Sequence, residues 1–244
     1  MRIPRPLPPI PKDLYRLYSD LAFWQRWHVR LRWRLCPFLV IAGQVPRSGR
    51  IVDIGCGRGM LANYLALTGP GRRVVGIDKQ ETRIRAAQAT VRGRTNIEFR
   101  YRDSRDLEVS EFDCVIMTDF LHHLSYGEQE ELLRHCREIV APGGLLLIED
   151  VGDRPRWKWY AHLVIDRVLN FGRRQNFRRP GAWKSFLRSL GFSLTVIPAD
   201  RGIPLPDILF VCVKSPGREA RARSIGGRAG SERNGPEVSR RKIN

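Results

Sequence analysis

The stretch Ile51-Val52-Asp53-Ile54-Gly55-Cys56-Gly57-Arg58-Gly59 constrains this chain more than any other. An apolar run enters a turn with glycine at every second position, and a helical pattern follows from Met60. Glycine tolerates tight turns and lets a backbone approach a ligand closely. The first turn of the helix then offers unpaired N–H groups. In an open α/β sheet this place, outside the carboxyl end of a strand, is where ligands bind.

The details of the turn narrow the ligand. A dinucleotide turn needs GxGxxG, and Met60 stands where the third glycine should fall. No Gly-Lys-Ser/Thr follows, so a P-loop is excluded. Asp53, two residues before the first glycine, would repel a pyrophosphate but favour a positively charged ligand. The turn therefore suits a cationic nucleoside better than a dinucleotide. Asp78 ends the next apolar run, Val74-Val75-Gly76-Ile77-Asp78, about 20 residues past the glycines, the position from which a carboxylate takes ribose hydroxyls. Asp103 follows a third run, where a carboxylate can accept from the exocyclic amine of a purine.

Around this turn, strand and helix patterns alternate. The expected strands are 50–54, 73–77, 97–101, 112–118, 145–149, 192–197 and 208–213. Helices are expected at 60–68, 80–92, 127–140 and 181–190. Strands that are apolar throughout, separated by amphipathic helices, predict an α/β fold with a mostly parallel sheet covered on both faces.

The joint pattern resembles the class I S-adenosylmethionine-dependent methyltransferases. It comprises DIGCGRG, then GID, an aspartate after the third strand, FDCVIMTDFLHHL and APGGLLLIED, and it covers about residues 45–213. The resemblance implies a Rossmann-like sheet of seven strands, six parallel and one antiparallel, the last two forming a terminal hairpin. It implies S-adenosylmethionine as cofactor. Asp53 and the backbone of Gly55 and Gly57 would hold its methionine end, Asp78 its ribose, and Asp103 with Ser104 its adenine, with Cys56, Gly59, Lys79 and Thr118 also against the cofactor. The nearest likeness is to the small-molecule group whose fourth strand ends in an LHH or LHY segment.

In such a fold the protein mainly positions the acceptor, because the cofactor carries the activated methyl. The end of the fourth strand faces that methyl and supplies Asp119, His122 and His123. Histidine suits proton transfer near neutral pH, and two adjacent histidines on a turn cannot both face the pocket; His123 is the preferred candidate, with helix capping and packing as the alternative role. Glu149 and Asp150, at the end of the fifth strand, could orient a substrate; no metal site is expected. Residues 150–178 read as a substrate cap whose aromatic face includes Trp157 and Tyr160, which points to an apolar or lipid-like acceptor methylated at O or C. An RNA methyltransferase competes on charge alone. Thr118-Asp119-Phe120-Leu121 lacks the Asn/Asp-Pro-Pro-aromatic segment of base N-methylating enzymes, so nucleic acid is the weaker partner. A non-catalytic cofactor-binding protein is the third reading.

Charge matters at the ends of the chain. The net charge is +18; residues 1–34 hold eight Lys/Arg against two acids, and residues 215–244 eight against three. Residues 1–44 read as a Pro-rich arm followed by a basic aromatic helix. In that helix Leu14, Leu17, Tyr18, Leu21, Trp24, His28, Leu31 and Leu35 form one apolar stripe. It is expected either to pack over the domain or to meet substrate or an anionic membrane surface. Residues 45–214 read as the catalytic domain, and 215–244, without periodicity, as a disordered basic tail. Five widely spaced cysteines form no disulfide framework and no zinc motif. With no signal-peptide pattern at the start, the expectation is a cytoplasmic protein, with peripheral membrane contact left open.

Overall fold

A computed structural model describes residues 9–107, 111–153, 155, 157–160, 175–200 and 205–215. Seven strands make one sheet: β1 (Ser48–Ile54), β2 (Gly71–Asp78), β3 (Ile97–Tyr101), β4 (Phe112–Thr118), β5 (Val140–Val151), β6 (Phe192–Pro198) and β7 (Asp207–Lys214). Their order is β3-β2-β1-β4-β5-β7-β6. The pairs β1–β2, β2–β3, β1–β4 and β4–β5 are parallel, and β7 runs antiparallel to both β5 and β6. The expected seven-stranded, mostly parallel sheet with its terminal hairpin is therefore present. β1 pairs with β2 on one side and β4 on the other, so strand order reverses there and a crevice opens at the carboxyl ends of β1 and β4.

Alternation along the strands divides the core in two. Ile51, Cys114, Ile116 and Leu147 face one layer, with α1 (Lys12–Arg16), α2 (Phe23–Leu35), α3 (Phe38–Ala42), α4 (Met60–Thr68) and α5 (Glu81–Gln88). Val52, Ile54, Val115, Met117, Leu146 and Ile148 face the other, with α6 (Tyr126–Ile139) and α7 (Pro180–Ser189). A side-chain period of two sends successive residues to opposite faces, so strands apolar throughout are buried on both sides. A capping box opens α6: Glu128 N–H donates to Ser125 Oγ at 3.4 Å, and Ser125 N–H to Glu128 Oε2 at 2.8 Å. β5 begins directly at Val140, five residues before the expected Leu145, and α5 stops at Gln88 rather than Arg92.

The N-terminal segment departs from the single stripe read from sequence. It breaks over residues 17–22, where Ser19 Oγ donates to Asp20 Oδ1 at 2.9 Å and Arg92 reaches both residues from across the fold. Such local side-chain bonding competes with helix continuation. The break resets the phase of α2. Val29 and Trp33 are its buried residues, Trp33 lying edge-on to Tyr64 of α4 at 5.4 Å, whereas Trp24 faces solvent. Tyr18, at the break, is fully buried; its hydroxyl donates to the Arg58 carbonyl at 3.1 Å and accepts from Asn63 Nδ2 at 2.9 Å. The Pro-rich residues 1–8, residues 154, 156 and 161–174 of the expected cap, and the basic tail from 216 lie outside the described residues.

Asn63 is the pin of this arrangement, since its amide also donates to Thr90 Oγ1 at 2.8 Å. Truncating it strips a donor from two buried hydroxyls at once. Asn63→Ala should cost about 1–3 kcal/mol of stability, read as a lower urea midpoint with an unchanged slope.

Candidate functional site

The crevice at β1 and β4 holds a cavity of about 580 Å³. Its floor is the turn between β1 and α4. Gly57 adopts φ +57, and a Cβ built there would meet nothing within 4 Å, so the backbone itself borders open space. Gly59, at φ +73, caps α4 in the left-handed conformation. A Cβ on it would fall 2.3 Å from the Phe99 ring. Both positions therefore demand glycine, one for close ligand approach and one for packing.

Asp78 closes one side. Its Oδ2 accepts from Gly57 N–H at 3.0 Å and its Oδ1 from Gln80 N–H at 2.8 Å, while Arg83 lies 3.9 Å away. A carboxylate has about four lone-pair sites, so each oxygen keeps capacity for a ligand hydroxyl. Asp53 is buried behind the turn. Burial raises its carboxyl to about 7, with the negative charge of Asp78 adding to the shift.

The carboxyl ends of β4 and β5 form the opposite wall. Asp119 has φ +52, unusual for a residue with a side chain, and its carboxylate pairs with Arg32 of α2. Burial alone would raise Asp119, but Arg32 and His122 outweigh it and hold the group near 2. Glu149 and Asp207 are pushed well above the usual carboxylate range by burial and by their acidic neighbours. Thr118 Oγ1 and Glu149 Oε2 are buried with no hydrogen-bond partner. Orphaned polar atoms beside a cavity are what a polar ligand would satisfy.

The two histidines divide. His123 borders the cavity. His122 is fully buried beneath it, with Nδ1 3.1 Å from Asp150 Oδ1 and Nε2 3.5 Å from Asp119 Oδ1. Trp183 Nε1–H donates to the other Asp150 oxygen at 3.1 Å. Asp150 thus holds His122 from below and does not border the cavity.

Of the residues singled out from sequence, the structure brings Asp53, Gly55, Cys56, Gly57, Asp78, Lys79, Thr118, Asp119, His123 and Glu149 around one space. Gly59, Asp103, Ser104, His122, Asp150, Trp157 and Tyr160 are not among its lining residues. Asp103 instead takes a bidentate grip from Arg105, at 3.0 and 2.9 Å, which holds its carboxyl near 2. Trp157 and Tyr160 are exposed to solvent. The inner face of α2 supplies lining that sequence reasoning missed: Arg32 and Cys36, beside His28, Leu31 and Leu35 of the expected stripe. His28 is driven down to about 4 by burial and by Arg58. Among the described residues, no cluster of His, Cys, Asp or Glu suits a metal ion.

The fit to S-adenosylmethionine is good in these terms. A glycine cradle is open to the cavity, a carboxylate with spare acceptor capacity stands at the end of β2 where the resemblance expects the ribose, and Asp53, Glu149 and Asp207 are buried acids beside the space, with Arg32, Arg58, Lys79 and Arg83 also lining it.

Comparison with known proteins agrees. A methyltransferase-domain family model matches residues 51–144. A ubiquinone biosynthesis O-methyltransferase of Pseudomonas syringae pv. tomato is 30% identical over 146 residues, covering 55% of this chain and 61% of the relative. One from Neisseria meningitidis serogroup C is 30% identical over 124 residues, covering 49% and 50%. The chain thus spans about half to three fifths of the length of these curated relatives. Among solved structures, an O-methyltransferase family protein from Burkholderia thailandensis superposes with a TM-score of 0.65 at 19% identity, covering 83% of this chain and 63% of that one. Human N-acetylserotonin methyltransferase in complex with SAM superposes at 0.63 and 18% identity, covering 79% and 55%; at such identities the likeness is one of fold. The glycine turn at the switch point and Asp78 both fall within residues 51–144, and this segment is similar to the methyltransferase domain of S-adenosylmethionine-dependent enzymes.

Proposed function

We propose that this protein methylates a hydroxyl oxygen of a small, apolar acceptor. The observation that carries the reading is the cavity at the β1–β4 switch point, which sets acids beside an apolar wall of Leu31, Leu35, Phe38, Phe120 and Leu205. Oxygen is favoured over carbon as the methylated atom by the ubiquinone O-methyltransferase relatives. When bound, S-adenosylmethionine supplies a methyl activated on a sulfonium, so the transfer needs alignment more than chemistry from the protein. Gly57 and Asp78 fix the nucleoside side, and Asp53 faces the cationic end. The apolar wall from α2 and Phe120 excludes water and orients the acceptor, and alignment of this kind can supply about 7–11 kcal/mol of the barrier.

His123 is the cavity-facing group assigned to take the acceptor's hydroxyl proton. His122, tied to Asp150, is assigned to hold Asp119 and the 121–123 turn in place rather than to touch substrate. The adenine role of Asp103 and Ser104 requires Arg105 to release the carboxylate when the nucleoside binds.

S-adenosylhomocysteine should raise the melting temperature and NAD should not; the reverse pattern would overturn the reading. Asp78→Ala should weaken cofactor binding by about 1–3 kcal/mol in calorimetry.

The pH dependence follows from Asp53. Its folded carboxyl sits above its unfolded value, so between about pH 4 and 7 the folded state binds the extra proton. Stability from this group therefore falls as pH rises through that window. Binding of a cationic ligand favours the ionised form and should strengthen by roughly fivefold to tenfold from pH 6 to 7.5. Asp53→Asn should flatten that gain.

His123→Gln should lower kcat about 10²- to 10⁴-fold with S-adenosylhomocysteine affinity unchanged. An equal loss in His122→Gln with preserved stability would exchange their roles.

A further inference from the structure

The helix α2 has two faces, and only the inner one borders the cavity. We infer that the outer face docks on a bilayer containing anionic phospholipid. Phe23 and Trp27 stand on it one turn apart with Trp24 beside them, exposed to 76%, 56% and 61%. Three large aromatic side chains held together in water are unusual for a soluble surface and mark an interaction site. Arg30 and Arg34 continue the same stripe, seven and eleven positions after Phe23, and α2 contains no acidic residue. Tyr15, Phe23, Arg26, Trp27 and Arg30 enclose a cleft of about 140 Å³. Arg26 Nε is buried there without a hydrogen-bond partner, and the Arg30 guanidinium lies 4.5 Å from the Tyr15 ring centroid.

This is the chemistry of an interfacial helix. Aromatic rings enter the boundary between headgroups and acyl chains, and arginines beside them take phosphodiester oxygens. RNA would also be drawn to arginines and could stack on the rings. The bilayer is favoured by the other face of the same helix, where Leu31 and Leu35 line the cavity. A helix lying in the headgroup layer would set the cavity one helix diameter, roughly 10 Å, from the bilayer, so an apolar acceptor would cross little water. That last step rests on the methyl-transfer reading; the docking does not.

The test uses the full chain and sedimentation with vesicles, which involves no catalysis, so docking and methyl transfer can fail separately. Vesicles of phosphatidylcholine are compared with vesicles containing about a third phosphatidylglycerol. The protein should bind the anionic vesicles, and added salt should weaken the binding. The paired variant Phe23→Ser/Trp27→Ser should bind at least about tenfold more weakly, while keeping the wild-type melting temperature and its response to S-adenosylhomocysteine. Arg26→Glu/Arg30→Glu should erase the preference for anionic lipid. Both variants leave the basic residues outside α2 unchanged, so the difference reads α2 alone. Wild-type partition of the first variant overturns the inference, as does binding to a mixed RNA pool at a salt concentration where vesicles are ignored.

Discussion

The ion pair between Arg32 and Asp119 joins two parts of the chain that share no sheet pairing. One partner stands on an N-terminal helix laid over the sheet's carboxyl edge, the other just past the end of β4. Together with Arg58 against His28 at 3.2 Å and Trp33 against Tyr64, this contact fixes the azimuth of α2 over the crevice. With it, Leu31, Leu35 and His28 become the roof of the cavity rather than part of a solvent-facing helix. A charge pair this partly exposed contributes little net stability, because solvent screens the attraction and desolvation offsets the rest. Its value lies in specifying where the helix sits.

The same pair sets the electrostatics below it. Five acids border the cavity: Asp53, Asp78, Asp119, Glu149 and Asp207. Arg32 pairs with Asp119, whereas Glu149 and Asp207 resist ionisation, first because they are buried and then because acidic neighbours, Asp119 among them, face both. Arg32, Arg58, Lys79 and Arg83 line the same cavity. A ligand cation placed beside Asp53, Glu149 and Asp207 would favour their ionised forms.

What could be read from the chain alone follows from how local each signal is. The glycine turn and Asp78 were legible because a strand, its turn and the next strand-end acid are fixed by short-range geometry. The strands were legible because burial on both faces leaves unbroken apolar runs. The azimuth of α2 was not: Trp24 and Trp33 are chemically alike, and only the break at 17–22 and the distant Tyr64 decide which is inside. Nor was Asp150 legible as a buried support, since its partners His122 and Trp183 arrive from different elements. Asp103 stood at the expected strand end, but nothing in its spacing foretold that Arg105, two residues on, would occupy it.

Asp119 carries one more implication through its backbone. Its φ of +52 lies where glycine or asparagine would rest more easily. A glycine there would relieve the main chain yet abolish the anchor for Arg32 and the neighbour of His122. Thermal resilience and a roofed, acid-walled chamber therefore pull in opposite directions at this single position. Selection for hardiness alone would be drawn to loosen the very hinge on which the chamber's ceiling hangs.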